Sequence, residues 1–82
     1  MVPTIIDVRT KEEFDLGHID GAVSIPLQEI LDSVEEIKKM SPPIIFCCKS
    51  GHRSEMATQY FKQQGLDCSN GGGWRELQSE IL

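Results

Sequence analysis

Nine residues, Phe46-Cys47-Cys48-Lys49-Ser50-Gly51-His52-Arg53-Ser54, constrain this chain more than any others. The apolar, β-branched and aromatic run Ile44-Ile45-Phe46-Cys47 leads into them and reads as a buried strand. A helical segment, Ser54 to Gln64, leads out. A loop joining a strand end to a helix start gathers backbone N–H groups where the helix has unpaired donors and a partial positive charge. Such a place binds anions, and a cysteine there is stabilised as thiolate. Four residues separate Cys48 from Arg53. Ser50 and Gly51 are small, which lets the backbone curl and turn successive N–H groups inward. Lys49 and Arg53 add fixed positive charge, so the stretch implies sulfur chemistry on a cradled thiolate.

That local charge stands out because the whole chain is acidic, with a net charge of −5. Nucleic acid and anionic membrane are therefore poor partners for its surface. Eighty-two residues predict one domain, 1–82, burying about 60 % of its unfolded surface. A hydrophobic content of 39 % and a charged content of 26 % are those of a globular chain. Three cysteines, two of them adjacent, make a poor disulfide framework. With no basic-then-apolar leader and no apolar run of membrane length, the expectation is a reducing, bacterial-type cytoplasm.

Thr4 to Val8 predicts a first strand, and Thr10-Lys11-Glu12-Glu13 has the spacing of a capping box. A short helix is expected from Lys11 to Leu16, ending at Gly17, with Phe14 facing the core. His18 then falls in a turn and is expected to hydrogen-bond there. Ala22 to Ile25 predicts a second strand, stopped by Pro26. Leu27, Ile30, Leu31, Val34 and Ile37 have helical spacing, compatible with one helix or two, and Asp32 to Glu35 has the spacing of a second capping box. Pro42 and Pro43 precede the third strand, Ile44 to Cys47.

In the helix that follows, Met56, Ala57, Tyr60 and Phe61 share a face. Leu66 to Ser69 reads as a weak fourth strand, Asn70 to Gly73 as a flexible turn, and Trp74 to Leu82 as a closing helix with Trp74, Leu77 and Ile81 on one side. Strands alternate with helices and hairpin signals are missing, which predicts a parallel sheet covered on both faces. In such sheets sites lie beyond the carboxyl ends of strands, where the Cys48 loop falls. Cys47, adjacent to Cys48 in a strand, is expected to face the opposite side and pack in the core. Cys68 is also expected to be core, and a vicinal Cys47–Cys48 disulfide is the redox alternative.

These residues carry a resemblance. Asp7-Val8-Arg9, Glu13-Phe14, Gly17-His18-Ile19, Gly21-Ala22, Ile25-Pro26, Cys48 to Ser54, and Gly72-Gly73 before Trp74 resemble, in order, the single-domain rhodanese (sulfurtransferase) family. The resemblance implies a three-layer α/β fold with a mostly parallel sheet. Since the chain begins at what resembles the family's second strand, four strands are expected, the Cys48 strand central.

The resemblance further implies that Cys48 is the catalytic cysteine, carrying sulfur as a persulfide. Lys49, Ser50, Gly51, His52 and Arg53 would bind substrate. Arg53 would bond to loop carbonyls, to a carboxylate or to the anion. Asp7 and Arg9 would support the loop from behind. The implied partners are a small anionic sulfur donor such as thiosulfate and a thiol, cyanide or protein acceptor, with no metal or organic cofactor. A persulfide carrier with little turnover is the alternative. A cysteine phosphatase or arsenate reductase relative is disfavoured, because those phosphatases place five residues between Cys and Arg to take a phosphate group. A non-catalytic regulatory domain is disfavoured by Cys48 itself.

Overall fold

A computed structural model describes residues 2–81. Four strands, β1 (Thr4–Asp7), β2 (Val23–Ser24), β3 (Ile44–Cys48) and β4 (Cys68–Gly73), form one sheet in the order β2-β1-β3-β4. Every neighbouring pair is parallel. The helices are α1 (Lys11–Asp15), α2 (Val34–Lys38), α3 (His52–Gln63) and α4 (Trp74–Ile81), with a 3₁₀ helix, Leu27–Ser33, running into α2. Among the described residues no helix is long and apolar enough to cross a membrane.

The sheet separates two apolar clusters, so the fold has three layers. On one face Ile6, Val8, Phe46 and Cys48 pack with Ile30 and Ile37 from the 3₁₀ and α2 segments and with Ala57 and Phe61 of α3. Phe46 and Phe61 stack at 5.4 Å between ring centroids. Burying a side chain of this size contributes about 2–3 kcal/mol. On the other face Cys47 packs with Ile19, Leu77 of α4 and the partly buried Ile45 and Trp74. The alternation of a strand thus puts Cys47 and Cys48 on opposite sides of the sheet. β3 is interior, between β1 and β4.

The structure departs from several local expectations. The expected Asp32–Glu35 capping box does not form: Asp32 lies within the 3₁₀ helix, and Ser33, which precedes α2, donates its hydroxyl to the Glu29 carbonyl, whereas the Thr10–Glu13 box forms. The Leu27–Lys38 stretch is a 3₁₀ segment followed by a single short α-helix. Phe14 is only half-buried and stacks on His18 at 3.7 Å, and the His18 Nδ1–H donates to the Phe14 carbonyl. In α3 the buried residues are Ser54, Ala57, Thr58 and Phe61, whereas Met56 is exposed. Ile81 of α4 is about half exposed, at 48 %.

The largest correction is at the glycine run, which is strand and not a flexible turn. Phe46 pairs with Asn70 but Cys47 pairs with Gly72, so Gly71 is the extra residue of a β-bulge. A Cβ on Gly71 would come within 2.8 Å of both Ile45 Cγ2 and Leu77 Cδ2, so any larger residue there would force these two side chains to move. Gly72 takes a left-handed φ of 82° and completes the bulge.

Candidate active site

β3 ends at Cys48 and α3 begins at His52. Between them Gly51 is left-handed, at φ 99°, which reverses the chain and points its N–H back along the strand. That N–H donates to Cys48 Sγ at 3.0 Å. Ser54 Oγ, from the first turn of α3, lies 3.3 Å from the same sulfur. Cys48 is 1 % exposed, so the sulfur is covered as well as cradled. Burial pushes its pKa up, but the Ser54 hydroxyl and the N–H groups of Ser54, Gly51 and Ser50 outweigh that and leave it below the ordinary thiol value. Cys47 shows the contrast. Burial, aided by the Asp7 carboxylate, pushes its pKa up to about 12, and it stays a core thiol. Cys68 is buried, its S–H directed at the Thr58 carbonyl at 3.6 Å, and burial raises its pKa as well.

Arg53 pairs with Glu13. Its two terminal nitrogens donate to the two carboxylate oxygens at 2.7 and 3.1 Å. The same Glu13 Oε1 accepts from the Thr10 N–H at 3.0 Å and the Thr10 hydroxyl at 3.1 Å. One carboxylate therefore caps α1 and ties it to the first turn of α3. The Arg53 hydrogen bonds, helped by those of Thr10, outweigh burial and hold Glu13 down to about 2, from an ordinary 4.5.

A carboxylate held down this way stabilises the fold above the unfolded pKa near 4.5, and that stability is lost as pH falls toward 2. Both partners are about one-third exposed, so solvent screening limits the pair to about 1 kcal/mol. Glu13→Gln is accordingly expected to lower the unfolding free energy at pH 7, measured by urea denaturation, by that amount. It should also flatten the dependence of the midpoint on pH between about 4.5 and 2.

Asp7 and Arg9 are fully and almost fully buried, at 0 % and 5 % exposure. Arg9 Nε and a terminal nitrogen grip the Asp7 carboxylate at 2.7–3.1 Å, and the same terminal nitrogen donates to the Gly17 carbonyl at 2.7 Å. Among the described residues this pair makes no hydrogen bond to the loop 49–53. It braces instead the wall of an adjoining groove, where the Arg9 guanidinium lies 4.8 Å from the Trp74 ring centroid. The groove has a volume of about 480 Å³, and Lys49, Arg75 and the exposed Leu16 also line it. Arg75 packs against Trp74 at 5.3 Å. Lys49 thus lies at the groove, whereas Ser50 on the loop and His52, the first residue of α3, are exposed.

Three residues of the site escaped the sequence reading. Ser54 stood at the end of the motif, but its contact with the sulfur requires the first turn of α3. Glu13 was legible as a cap, and its second carboxylate oxygen was the available signal. Asn70, expected in a turn, is in β4 on the α3 side. It accepts from Ser54 Oγ at 2.6 Å and donates to the Gly51 carbonyl at 3.1 Å.

The parallel sheet, with a thiol cradled by loop N–H groups at the end of its interior strand, defines a class of α/β proteins built around a cysteine. Residues 1–80 match the family described as Rhodanese-like domain. The chain is 44 % identical over 62 residues to the putative sulfur carrier protein YrkF of Bacillus subtilis, spanning 76 % of this chain and 33 % of that protein. It is 31 % identical over 104 residues to the adenylyltransferase and sulfurtransferase uba4 of Aspergillus clavatus, spanning 96 % of this chain and 21 % of that one. It thus spans about a third or less of these curated relatives. A solved rhodanese with anions from E. coli superposes with a TM-score of 0.80 at 26 % identity, over 90 % of this chain and 89 % of that one. The chain belongs to the rhodanese-like domain family. That membership supports sulfur transfer in the broad sense, as a sulfurtransferase or a sulfur carrier.

Proposed function

We propose that residues 1–82 act as one rhodanese-like unit that moves sulfane sulfur through a persulfide on Cys48, in a reducing cytoplasm. The observation that carries this reading is the Gly51 N–H at 3.0 Å from Cys48 Sγ, with the Ser54 hydroxyl 3.3 Å from the same sulfur. The Cys48 thiolate attacks the outer sulfur of an anionic donor such as thiosulfate. An S–S bond forms, the donor's own S–S bond breaks, and sulfite leaves with the electron pair. Covalent catalysis splits the transfer into two easier steps. The negative charge ends on the terminal sulfur, where the inward amides of Ser50 and Gly51 stabilise it. A thiol, cyanide or protein acceptor then attacks that terminal sulfur, and Cys48 departs as thiolate.

Lys49 steers the donor anion toward the loop, and Arg53 fixes the loop through Glu13. Asp7 and Arg9 hold the groove wall, Ser50 contributes its backbone N–H to the ring, and His52 opens α3.

A second reading, a persulfide carrier with little turnover on small donors, draws on the groove. Its volume of about 480 Å³ lies in the range of sites for drug-sized ligands and far exceeds what a sulfur oxyanion fills. Arg9 and Arg75, both set against Trp74, bring two guanidiniums to this groove, which suits an anionic segment of a larger acceptor. Incubation with thiosulfate, read by mass spectrometry, is expected to add one sulfur to the Cys48 peptide, and cyanide should remove it. Fast steady-state thiocyanate production then marks the enzyme, and single-turnover loading with negligible production marks the carrier. Hydrolysis of an aryl phosphate without sulfur uptake would replace both with the phosphatase reading.

A further inference from the structure

Asn70 lies at the surface, yet each of its polar atoms is engaged, and the partners fix which end is oxygen. Its Oδ1 accepts the Gly72 N–H at 2.9 Å, which only an oxygen can do. Its Nδ2 faces two acceptors, the Gly51 carbonyl and Glu55 Oε1, each at 3.1 Å. With the amide oriented this way, the 2.6 Å contact between Ser54 Oγ and Asn70 Oδ1 requires Ser54 to donate. A hydroxyl has one hydrogen. Ser54 therefore turns a lone pair toward Cys48 Sγ at 3.3 Å, and the bond across that gap runs from the thiol S–H to Ser54. This is the arrangement of a neutral thiol. A thiolate has no hydrogen to give and needs one from Ser54.

We propose that Asn70 is a positioning residue that competes with the Cys48 sulfur for the single hydroxyl hydrogen of Ser54. When Cys48 loses its proton to solvent, the Ser54 hydroxyl turns from Asn70 to the sulfur, and Asn70 Oδ1 keeps the Gly72 N–H. When the negative charge moves out to the terminal sulfur of a persulfide, the inner sulfur is neutral and the hydroxyl returns to Asn70. No proton passes between the three side chains; only the thiol proton leaves, and it goes to water. Ser54 is completely buried, so in the wild type Asn70 Oδ1 and the Cys48 sulfur are the two acceptors offered to its hydrogen. The consequence for transfer rests on the reading of Cys48 as the sulfur carrier; the competition itself does not.

The test is the pH dependence of iodoacetamide alkylation at Cys48, followed on its own peptide by mass spectrometry in the full chain. Asn70→Ala frees the hydrogen and is expected to lower the midpoint by roughly half to one pH unit, while Ser54→Ala raises it. In the Ser54→Ala background, Asn70→Ala should leave the midpoint where it is, because there is no hydrogen left to compete for. If Asn70 served only to pin the loop, its loss would misplace the Gly51 N–H and raise the midpoint in both backgrounds, which would overturn the proposal. Should Asn70→Ala not fold, Asn70→Asp keeps the acceptor oxygen and strengthens it. Its midpoint should rise by more with Ser54 present than without, and equal shifts in the two backgrounds would overturn the proposal. Sulfur uptake from thiosulfate by the same wild-type sample separates a failure here from a failure of the functional reading.

Discussion

Cys48→Ser is expected to abolish sulfur uptake from thiosulfate and to cut transfer to cyanide by roughly 10³-fold or more. The reason is chemical before it is structural. A serine hydroxyl in the same ring stays protonated, and an oxygen at that position does not supply the sulfur end of a persulfide. The fold should survive the change. The new hydroxyl can accept the Gly51 N–H and share the Ser54 hydroxyl, so it is not left buried and unsatisfied. Cys47→Ala is the matched control. It removes a buried thiol from the opposite face of the sheet, at a cost of about 1 kcal/mol in stability, and should leave sulfur uptake at the wild-type level. Uptake that persists in Cys48→Ser, or disappears in a folded Cys47→Ala, would place the carrier sulfur elsewhere.

Asp7→Asn should have the largest effect on stability. Asp7 and Arg9 form an ion pair with side-chain exposures of 0 % and 6 %. The substitution leaves the guanidinium buried without its counter-charge and turns an amide N–H₂ toward N–H donors. Breaking such a pair from one side costs about 3–5 kcal/mol. A domain of this length has a total stability on the order of 4–12 kcal/mol, so the variant should be marginal at room temperature. Adding Arg9→Met removes the stranded charge, and the double variant is expected to be more stable than Asp7→Asn alone. Urea denaturation measures both. An Asp7→Asn unfolding free energy within about 1 kcal/mol of wild type would mean that water reaches Arg9, contrary to its burial.

The two predictions concern different kinds of structure. The Cys48 ring is contiguous in sequence, closed within six residues, and its geometry follows from one left-handed glycine between a strand and a helix. For that reason the cradle, the four-strand parallel sheet and the opposite facing of Cys47 and Cys48 were legible from residue types and spacing, with the rhodanese resemblance adding the sheet's size. The Asp7–Arg9 pair was legible as a motif, but its setting was not. It braces Gly17 and Trp74 and makes no bond to the loop, which depends on how α1 and α4 cross the end of the sheet.

Elsewhere the sequence pattern was ambiguous for stated physical reasons. Met56 and Thr58 are close on α3, and helical spacing alone did not tell which side of that helix meets the sheet; Thr58 is buried and Met56 exposed. Three successive glycines read as a loop, because glycine is weak in strands. Here Ile45 and Leu77 crowd Gly71, so glycine fits the strand at that position without displacing either side chain.

By itself the sequence determined the thiol, the small residues that let its loop curl, and the strand and helix on either side. These are local properties, set by backbone conformation over a few bonds. Tertiary structure alone decided that Arg53 meets Glu13, forty residues away, and that Ser54 meets Asn70 across the bulge in β4. A hydrogen bond between distant residues exists only once the sheet order has brought their strands and helices together, and no spacing along the chain encodes that distance.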